Sequence, residues 1–207
     1  MTSSVDFVPA ALRVLVLYVL THLDALGQLP LPTSQMSREQ ILSVLPPWLV
    51  AVIFVEDMKG AYRQCPVLPE HHCVSVIAFW HEEWQCIAYI ILLGLPFGLS
   101  SAVINFNRVP TFGSAVLRRI AAVPASPFFD DTGAVDLFVA SHSGQRGMQR
   151  IYALFGWKLD PLKSQPAGFL RIYLGTAVDL GAFLLDGHVK VDLKPGSLLG
   201  LVCFHLH

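Results

Sequence analysis

The chain has 207 residues, of which 54% are hydrophobic and 14% are charged, and its formal net charge is −1 at pH 7. An average soluble domain is about 25% charged, so this composition excludes a disordered chain and predicts one domain with a sizeable core, with or without an appendage. The balanced charge excludes the overall positive field that marks many nucleic-acid-binding proteins.

Cysteine usage favours an intracellular protein, in the nucleus or the cytoplasm. The four cysteines form no C-x-x-C pair and no secretory signal is recognisable, so reduced thiols are expected rather than disulfides. A zinc site among residues 71–86 is an alternative, but the spacing fits no zinc finger or ribbon, and residues 74–80 have the composition of a strand. The side chains in question are His71, His72, Cys73, His81 and Cys86.

The N-terminal segment is strongly apolar over residues 5–26. A membrane-spanning helix needs about 20 mostly apolar residues, whereas Asp6, Arg13, His22 and Asp24 interrupt this run. No cationic stretch precedes it, which argues against a signal peptide. A buried helix is therefore predicted and a membrane partner is not expected, although a membrane anchor stays open as the alternative.

A shorter helix and a strand are predicted next. Ser37 is placed to cap the helix, with Gln40 reaching back to the Ser37 backbone. Residues 49–55 are an uninterrupted aliphatic and β-branched run, typical of a strand covered on both faces. The run ends in Glu56 and Asp57, and a buried strand that ends in a carboxylate is a rigid support for a metal site.

The middle of the chain predicts a hairpin and then a helix. Residues 73–80 and 85–93 have strand composition around a polar turn. A proline- and glycine-containing loop then leads into a helix near Ser100, whose first amides would suit an anion. Pro110 and Gly113 are expected to interrupt that helix.

Two adjacent carboxylates, Asp130 and Asp131, follow the aromatic pair Phe128 and Phe129. This order predicts a strand that enters a tight hairpin. Like charges about 4 Å apart repel by roughly 1 kcal/mol in water and roughly 4 kcal/mol at an effective dielectric of 20. A divalent cation would offset that repulsion, and oxygen ligands favour Mg²⁺ or Mn²⁺ over zinc. Taken alone, the pair would also suit a solvated turn, because turns collect Asp.

The remainder of the chain predicts a helix followed by strands. Residues 145–156 have the period of an amphipathic helix that ends at Gly156. Residues 169–175 predict a strand, and residues 181–194 predict a further hairpin.

Five stretches resemble, in the same order, the palm motifs of reverse transcriptases, closest to those of retrotransposons with long terminal repeats. They are DMKGAYRQ at 57–64, LPFGLSSA at 95–102 with FNR at 106–108, FFDD at 128–131, WKLDPLK at 157–163 and FLRIYLG at 169–175. The resemblance implies an α+β fold, a polymerase palm with a split β-α-β, ferredoxin-like sheet and helices on one face. Residues 1–45 would be a helical N-terminal appendage, residues 46–185 the palm-like domain and residues 186–207 a C-terminal tail or hairpin.

The resemblance also implies RNA-directed DNA polymerase chemistry. Asp57 and Asp130 would hold two Mg²⁺ (or Mn²⁺) ions, with Asp131 assisting the metals or the primer end. Lys163 is the candidate proton donor to the leaving pyrophosphate, and Tyr62 would lie under the incoming sugar and exclude a 2′-hydroxyl. Nucleotide or template contacts are implied for Tyr62, Arg63, Gln64, Pro96, Phe97, Gly98 and Arg108.

The implied partners are an RNA or DNA template with a primer, and deoxynucleoside triphosphates. Only Arg13 and Arg38 carry the basic charge of residues 1–56, and about 30 residues follow Gly175. A fragment of a polyprotein, or a degenerate copy, lacking fingers, thumb and ribonuclease H regions is therefore expected. The alternatives are a catalytically silent, domesticated module that binds nucleic acid or protein, and a small membrane-associated protein.

Overall fold

The computed structural model describes residues 4–46, 49–181, 183, 188–193 and 202–205. These residues form a mixed α/β structure with antiparallel sheets and several helices, which is compatible with the expected α+β class. The helices are α1 (Ser4–Ala25), α2 (Arg38–Val44), α3 (Ser100–Ile120) and α4 (Ser141–Leu154). The strands are β1 (Ala51–Asp57), β2 (Val76–His81), β3 (Cys86–Ile91), β4 (Ala125–Phe128), β5 (Asp131–Leu137), β6 (Gln165–Gly168), β7 (Leu170–Tyr173), β8 (Thr176–Asp179), β9 (His188–Leu193) and β10 (Val202–His205).

The first sheet has the order β4-β5-β1-β6, so the apolar run that predicted a covered strand forms one of its two inner strands. Every residue of β1 is buried, which confirms that prediction. Antiparallel pairing sets Phe54 opposite Ala134 and Ile53 opposite Val135. Because side chains alternate along a strand, the first pair faces one side of the sheet and the second pair faces the other.

Helices α3 and α4 cover the face of the sheet that carries Phe54. Phe106 of α3 and Met148 and Tyr152 of α4 lie in one buried cluster with Phe54 and Ala134. The predicted amphipathic helix before Gly156 is thereby confirmed, and Gly156 has the positive φ of 76° that favours glycine at a helix end.

The expected interruption of α3 at Pro110 and Gly113 is wrong, because α3 is continuous from Ser100 to Ile120. Both residues are buried within it. A Cβ at Gly113 would lie 2.8 Å from Tyr152 Cε2, so glycine permits the close approach of α3 to α4. Burial of this face between neighbouring elements outweighs the cost of one proline, since tertiary packing overrides local propensity.

The opposite face of the first sheet packs on α1 and on the second sheet, whose order is β10-β9-β8-β7. Leu12 of α1, Ile53, Val135, Val178 and Val189 belong to one buried cluster. The N-terminal helix therefore contributes to the core. The predicted hairpin at 181–194 lies partly outside the described residues; its described part, β9, pairs with β8 and β10.

The outer face of α1 leaves Val14, Leu17 and Tyr18 exposed. The stretch Phe7–Ala25 is long and apolar enough to cross a membrane by length and composition alone, a property that it shares with the core helices of soluble proteins. The helix thus buries one face, as the prediction of a buried helix requires, and leaves the other uncovered.

Two local predictions are confirmed in detail. Ser37 Oγ accepts a hydrogen bond from Gln40 N, and Gln40 Oε1 accepts one from Ser37 N, which completes the capping box of α2. Strands β2 and β3 form the predicted hairpin as a separate two-stranded sheet. Its large apolar side chains, such as Trp80 and Tyr89, are exposed.

Candidate active site

The site predicted from the acidic residues lies where β1 ends beside the β4–β5 hairpin. The register of the sheet sets Asp57 directly opposite Asp131, and Asp130 occupies the two-residue turn with Phe129. Met58 N donates a 2.9 Å hydrogen bond to Asp130 O, which fixes the turn against the end of β1. The structure thus brings three carboxylates together. Asp57 lies 73 positions before Asp130 in the sequence (130 − 57).

The turn carries backbone strain, since Phe129 has a positive φ of 52°. A bulky aromatic residue rarely adopts this conformation. Phe129 packs against the buried cluster under α3 and α4, and its ring meets that of Phe128 edge to face with centroids 4.8 Å apart. The packing of Phe129 therefore holds the turn that presents Asp130.

The carboxylates repel each other. The pKa of Asp131 is raised to about 6, mainly by burial. The charges of Asp130 and Asp57 and a hydrogen bond with Asp57 raise it further, while the charge of Lys163 lowers it. A raised pKa at a cluster of like charges is a common mark of a functional site, and it also occurs in structural clusters.

Lys163 supplies the cation that contacts this cluster. Its Nζ lies 2.9 Å from Asp57 Oδ2, and the pair joins residues 106 positions apart (163 − 57). The hydrogen bond and the charge of Asp57 raise the pKa of Lys163. The Lys163 side chain is 61% exposed whereas that of Asp57 is 8% exposed, so the ammonium reaches the site from the solvent side.

The donor set suits a hard divalent cation in its chemistry, because it consists of carboxylate oxygens alone. Among the described residues, however, no group of three or more His, Cys, Asp or Glu side chains is arranged to hold a metal ion. In the structure the positive charge at Asp57 comes instead from Lys163. A metal ion at Asp57 would therefore compete with Lys163 for this carboxylate.

Tyr62 lies beside the carboxylates in an aromatic cluster. Its ring stacks on Phe106 with centroids 4.5 Å apart and meets Phe97 edge-on at 5.3 Å. Burial, and secondarily the charge of Asp130, raises the pKa of Tyr62. Phe97 is 87% exposed, so the cluster runs from the core to the surface next to the acidic site.

The loop of Pro96, Phe97 and Gly98 is tied to the segment after Asp57. Leu95 N donates to Cys65 O at 2.9 Å, and a Cβ at Gly94 would lie 2.7 Å from Arg63 O. This close approach explains glycine at position 94. Gly98 has a φ of 98°, another position that favours glycine.

The remaining residues predicted to contact a nucleotide or template differ in whether their side chains are free to do so. Gln64 Nε2 donates to the carbonyl oxygens of Lys59 and Lys158 at 2.7 and 2.8 Å, and Gln64 Oε1 accepts from Lys158 N at 2.6 Å. The Gln64 amide therefore holds two loops together, and its contact with a nucleotide or template stays a prediction. Arg63 and Arg108 are exposed, so their side chains face solvent.

Glu56, the acidic residue next to Asp57, has no role predicted from the sequence. Alternation along β1 directs Glu56 to the α3–α4 face, where it is 1% exposed and accepts hydrogen bonds from Gln145, Gln149 and Ser164. A charged residue at the end of an otherwise apolar run was the signal available in the sequence. Its partners lie 89 to 108 positions away and could not be identified from it.

Neither a protein-family model nor a curated protein matches the chain. Among solved structures, the chain is similar to the foamy viral protease-reverse transcriptase in its complex with an RNA/DNA hybrid. The TM-score is 0.52 and the sequence identity 15%, over 70% of this chain and 17% of the viral chain. At this identity the likeness shows the fold alone, which is reverse-transcriptase-like.

Proposed function

We propose that the chain is the palm region of an RNA-directed DNA polymerase of the retroelement type and works by two-metal nucleotidyl transfer. The observation that carries this proposal is the apposition of Asp57, at the end of β1, with Asp131, at the start of the hairpin strand. It agrees with the five motifs in the sequence, and the reverse-transcriptase-like fold is consistent with it.

In this proposal Asp57, Asp130 and Asp131 hold two Mg²⁺ or Mn²⁺ ions. When bound, such ions lower the pKa of a hydroxyl nucleophile and neutralise charge on the phosphates. The chain's own contribution is positioning: Phe129 packs under the turn of Asp130, and Met58 fixes that turn to β1. A template with its primer and the deoxynucleoside triphosphates are the proposed partners.

The other side chains receive roles from their positions. Lys163 carries a proton at neutral pH, as lysine ordinarily does, and would give it to the leaving pyrophosphate after moving away from Asp57. Tyr62, wedged between Phe97 and Phe106, would lie under the incoming sugar and exclude a 2′-hydroxyl. Arg63 and Arg108, both exposed, would contact phosphates.

A catalytically silent module derived from a retroelement is the second candidate. The contact between Lys163 and Asp57 favours it, because a lysine at that position satisfies the buried carboxylate without a metal. The variant Lys163→Met separates the two candidates. For a polymerase palm it should tighten Mn²⁺ binding several-fold, since one competing cation is removed, whereas for a silent module neither the variant nor the wild type should bind Mn²⁺.

The function is tested by primer extension with a chain extended into its flanking reading frame and supplied with Mg²⁺. Asp130→Asn should abolish incorporation without unfolding the domain. Asp24→Asn, which makes the same change at an exposed position of α1, is the matched control and should retain full incorporation. Undiminished incorporation by Asp130→Asn would refute the metal role of Asp130.

A further inference from the structure

The β2–β3 hairpin presents large apolar side chains to solvent. It is a separate two-stranded sheet, and no other described strand pairs with either of its outer edges. None of its residues belongs to the three buried clusters of the described chain. A hairpin of two strands is marginally stable at best in water, and it needs further strands or a packed face to be stable. This hairpin therefore lacks the cover that its composition requires.

One face of the hairpin is more exposed than the other. Paired residues of an antiparallel sheet share a face, and successive residues alternate between faces, so the register divides the hairpin into two sets. The set that we call the Trp80 face consists of Val76, Ala78, Trp80, Ile87, Tyr89 and Ile91. The opposite face carries Ile77, Phe79, Ala88 and Ile90. Tyr89 is 69% exposed, whereas Phe79, the largest side chain of the opposite face, is 39% exposed.

The Trp80 face is large enough to form an interface. Its five large residues are between 40% and 69% exposed. A large apolar residue presents roughly 150–250 Å² when it is fully exposed, so this face offers about 500 Å² of surface. Two such faces packed together would remove about 1,000 Å² from water, which is the least that is expected of a biological interface. Contiguous apolar patches of this size are often functional.

The charges around the hairpin limit the kind of partner. The two strands contain no Asp, Glu, Lys or Arg, and the turn between them contains Glu82 and Glu83. No Lys or Arg occurs between Gln64 and Asn107 in the sequence. Nucleic acid and anionic membranes are therefore poor partners, since both attract proteins largely through cationic side chains. The partner surface must itself be apolar and uncharged.

We propose that the Trp80 face is a self-association surface, on which a second copy of this chain packs face to face about a two-fold axis. A two-fold interface requires a surface that is complementary to itself. An uncharged apolar face meets this requirement, because no side chain on it is brought against a like charge. The proposal does not depend on nucleotidyl transfer.

Ala78 marks the centre of the proposed interface. It lies between Val76 and Trp80 along β2 and is paired with Tyr89 of β3. Its small side chain among larger ones leaves room for a large side chain of the second copy, as facing layers of a packed core alternate large and small residues. A charge placed at position 78 would therefore lie within the interface.

The test is sedimentation equilibrium of the 207-residue chain over a series of micromolar concentrations. Wild type should pass from monomer to dimer within the series, because an interface of this small area gives a weak complex. Ala78→Lys should raise the dissociation constant by about 100-fold or more, because each copy then brings an ammonium group to the same centre. Ala88→Lys makes the same change on the opposite face and should leave the dimer unchanged.

Mixing two variants tests the two-fold arrangement itself. Ala78→Glu alone should be monomeric, as Ala78→Lys is, and an equimolar mixture of the two should form a heterodimer because opposite charges then meet. A heterodimer also shows that both variants are folded. A monomeric wild type, assembly of wild type beyond the dimer, a dimer that survives Ala78→Lys, loss of the dimer in Ala88→Lys, or a mixture that stays monomeric would each overturn the proposal.

Discussion

Asp57 and Asp131 face each other across the β1–β5 pair, and their carboxylates come from the last residue of one strand and the first residue of the other. This placement concentrates negative charge at the ends of the two inner strands of the first sheet. Lys163 balances part of it through Asp57, and burial raises the pKa of Asp131 to about 6, with further contributions from Asp130 and Asp57.

Asp131→Asn should stabilise the metal-free protein at pH 8. The folded pKa of Asp131 is about 6 and its ordinary value is 3.8, so the folded state binds the proton more tightly. The associated stability is fully present below about pH 4 and is lost as the pH rises through about 6. Allowing for solvent screening of this half-buried group, the free energy of unfolding of the variant should exceed that of wild type by on the order of 1 kcal/mol at pH 8.

The measurement is urea unfolding in EDTA at pH 8 and at pH 4. The gain of Asp131→Asn should shrink toward zero at the lower pH, where wild-type Asp131 is already neutral. Asp24→Asn, at an exposed position of α1, serves as the control for surface charge. A gain that is equal at both pH values would contradict the assignment of the raised pKa to Asp131.

Gly113→Ala should destabilise the fold by about 1–3 kcal/mol, the usual cost of overpacking a close contact. The new Cβ would lie 2.8 Å from Tyr152 Cε2, where α3 meets α4. Gly147→Ala is the matched control, because a Cβ on that α4 residue meets nothing within 4 Å. It should be neutral or stabilising by up to about 1 kcal/mol through helix propensity. Thermal unfolding that ranks Gly113→Ala at or above Gly147→Ala would contradict the close packing.

The elements that follow from local pattern could be predicted from the sequence. The uninterrupted apolar run at residues 49–55 predicted a strand covered on both faces, and β1 is buried throughout. Ser37 with Gln40 forms the predicted capping box. Pro110 misled the prediction, because local propensity favours a break and only the packing of α3 against its neighbours decides otherwise.

The features that could not be predicted from the sequence are contacts between distant parts of the chain. The candidate site's residues Asp57, Asp130, Asp131 and Lys163 were identified through motif resemblance, but no local pattern indicates that Lys163 pairs with Asp57. Likewise, no periodicity indicates which side chains would surround Glu56. Such pairings depend on the register of the sheet and on loop geometry, which a single sequence does not encode in a readable pattern.

Tyr62→Ala should admit ribonucleotides in a chain that polymerises. Removing the ring opens the space between Phe97 and Phe106 that would otherwise exclude a 2′-hydroxyl. Tyr62→Phe keeps the ring and should keep the discrimination. The measurement is the ratio of kcat/KM for dCTP to that for CTP, which partial unfolding of a variant leaves unchanged. The same ratio in wild type and Tyr62→Ala would remove Tyr62 from the site.

The 207-residue chain should bind a primer-template weakly and extend it little. Affinity for nucleic acid comes largely from neutralising phosphates, and the chain has 14 Lys and Arg residues against 15 Asp and Glu residues. We expect a Kd no tighter than about 10⁻⁶ M at physiological salt, the strong end of non-specific binding. Titration of labelled primer-template at several salt concentrations measures it, and nanomolar affinity with processive extension would show that residues 1–56 act as fingers.

Mn²⁺ binding to the 207-residue chain tests the proposed metal site most directly. The binding is monitored at pH 8 through the electron paramagnetic resonance signal of free Mn²⁺. Wild type should bind Mn²⁺ saturably, and Asp57→Asn should abolish that binding because it removes the carboxylate that Asp131 faces. Asp24→Asn should bind as wild type does. Absence of saturable binding by wild type, or equal binding by Asp57→Asn and wild type, would contradict a metal-dependent polymerase site built on Asp57, Asp130 and Asp131.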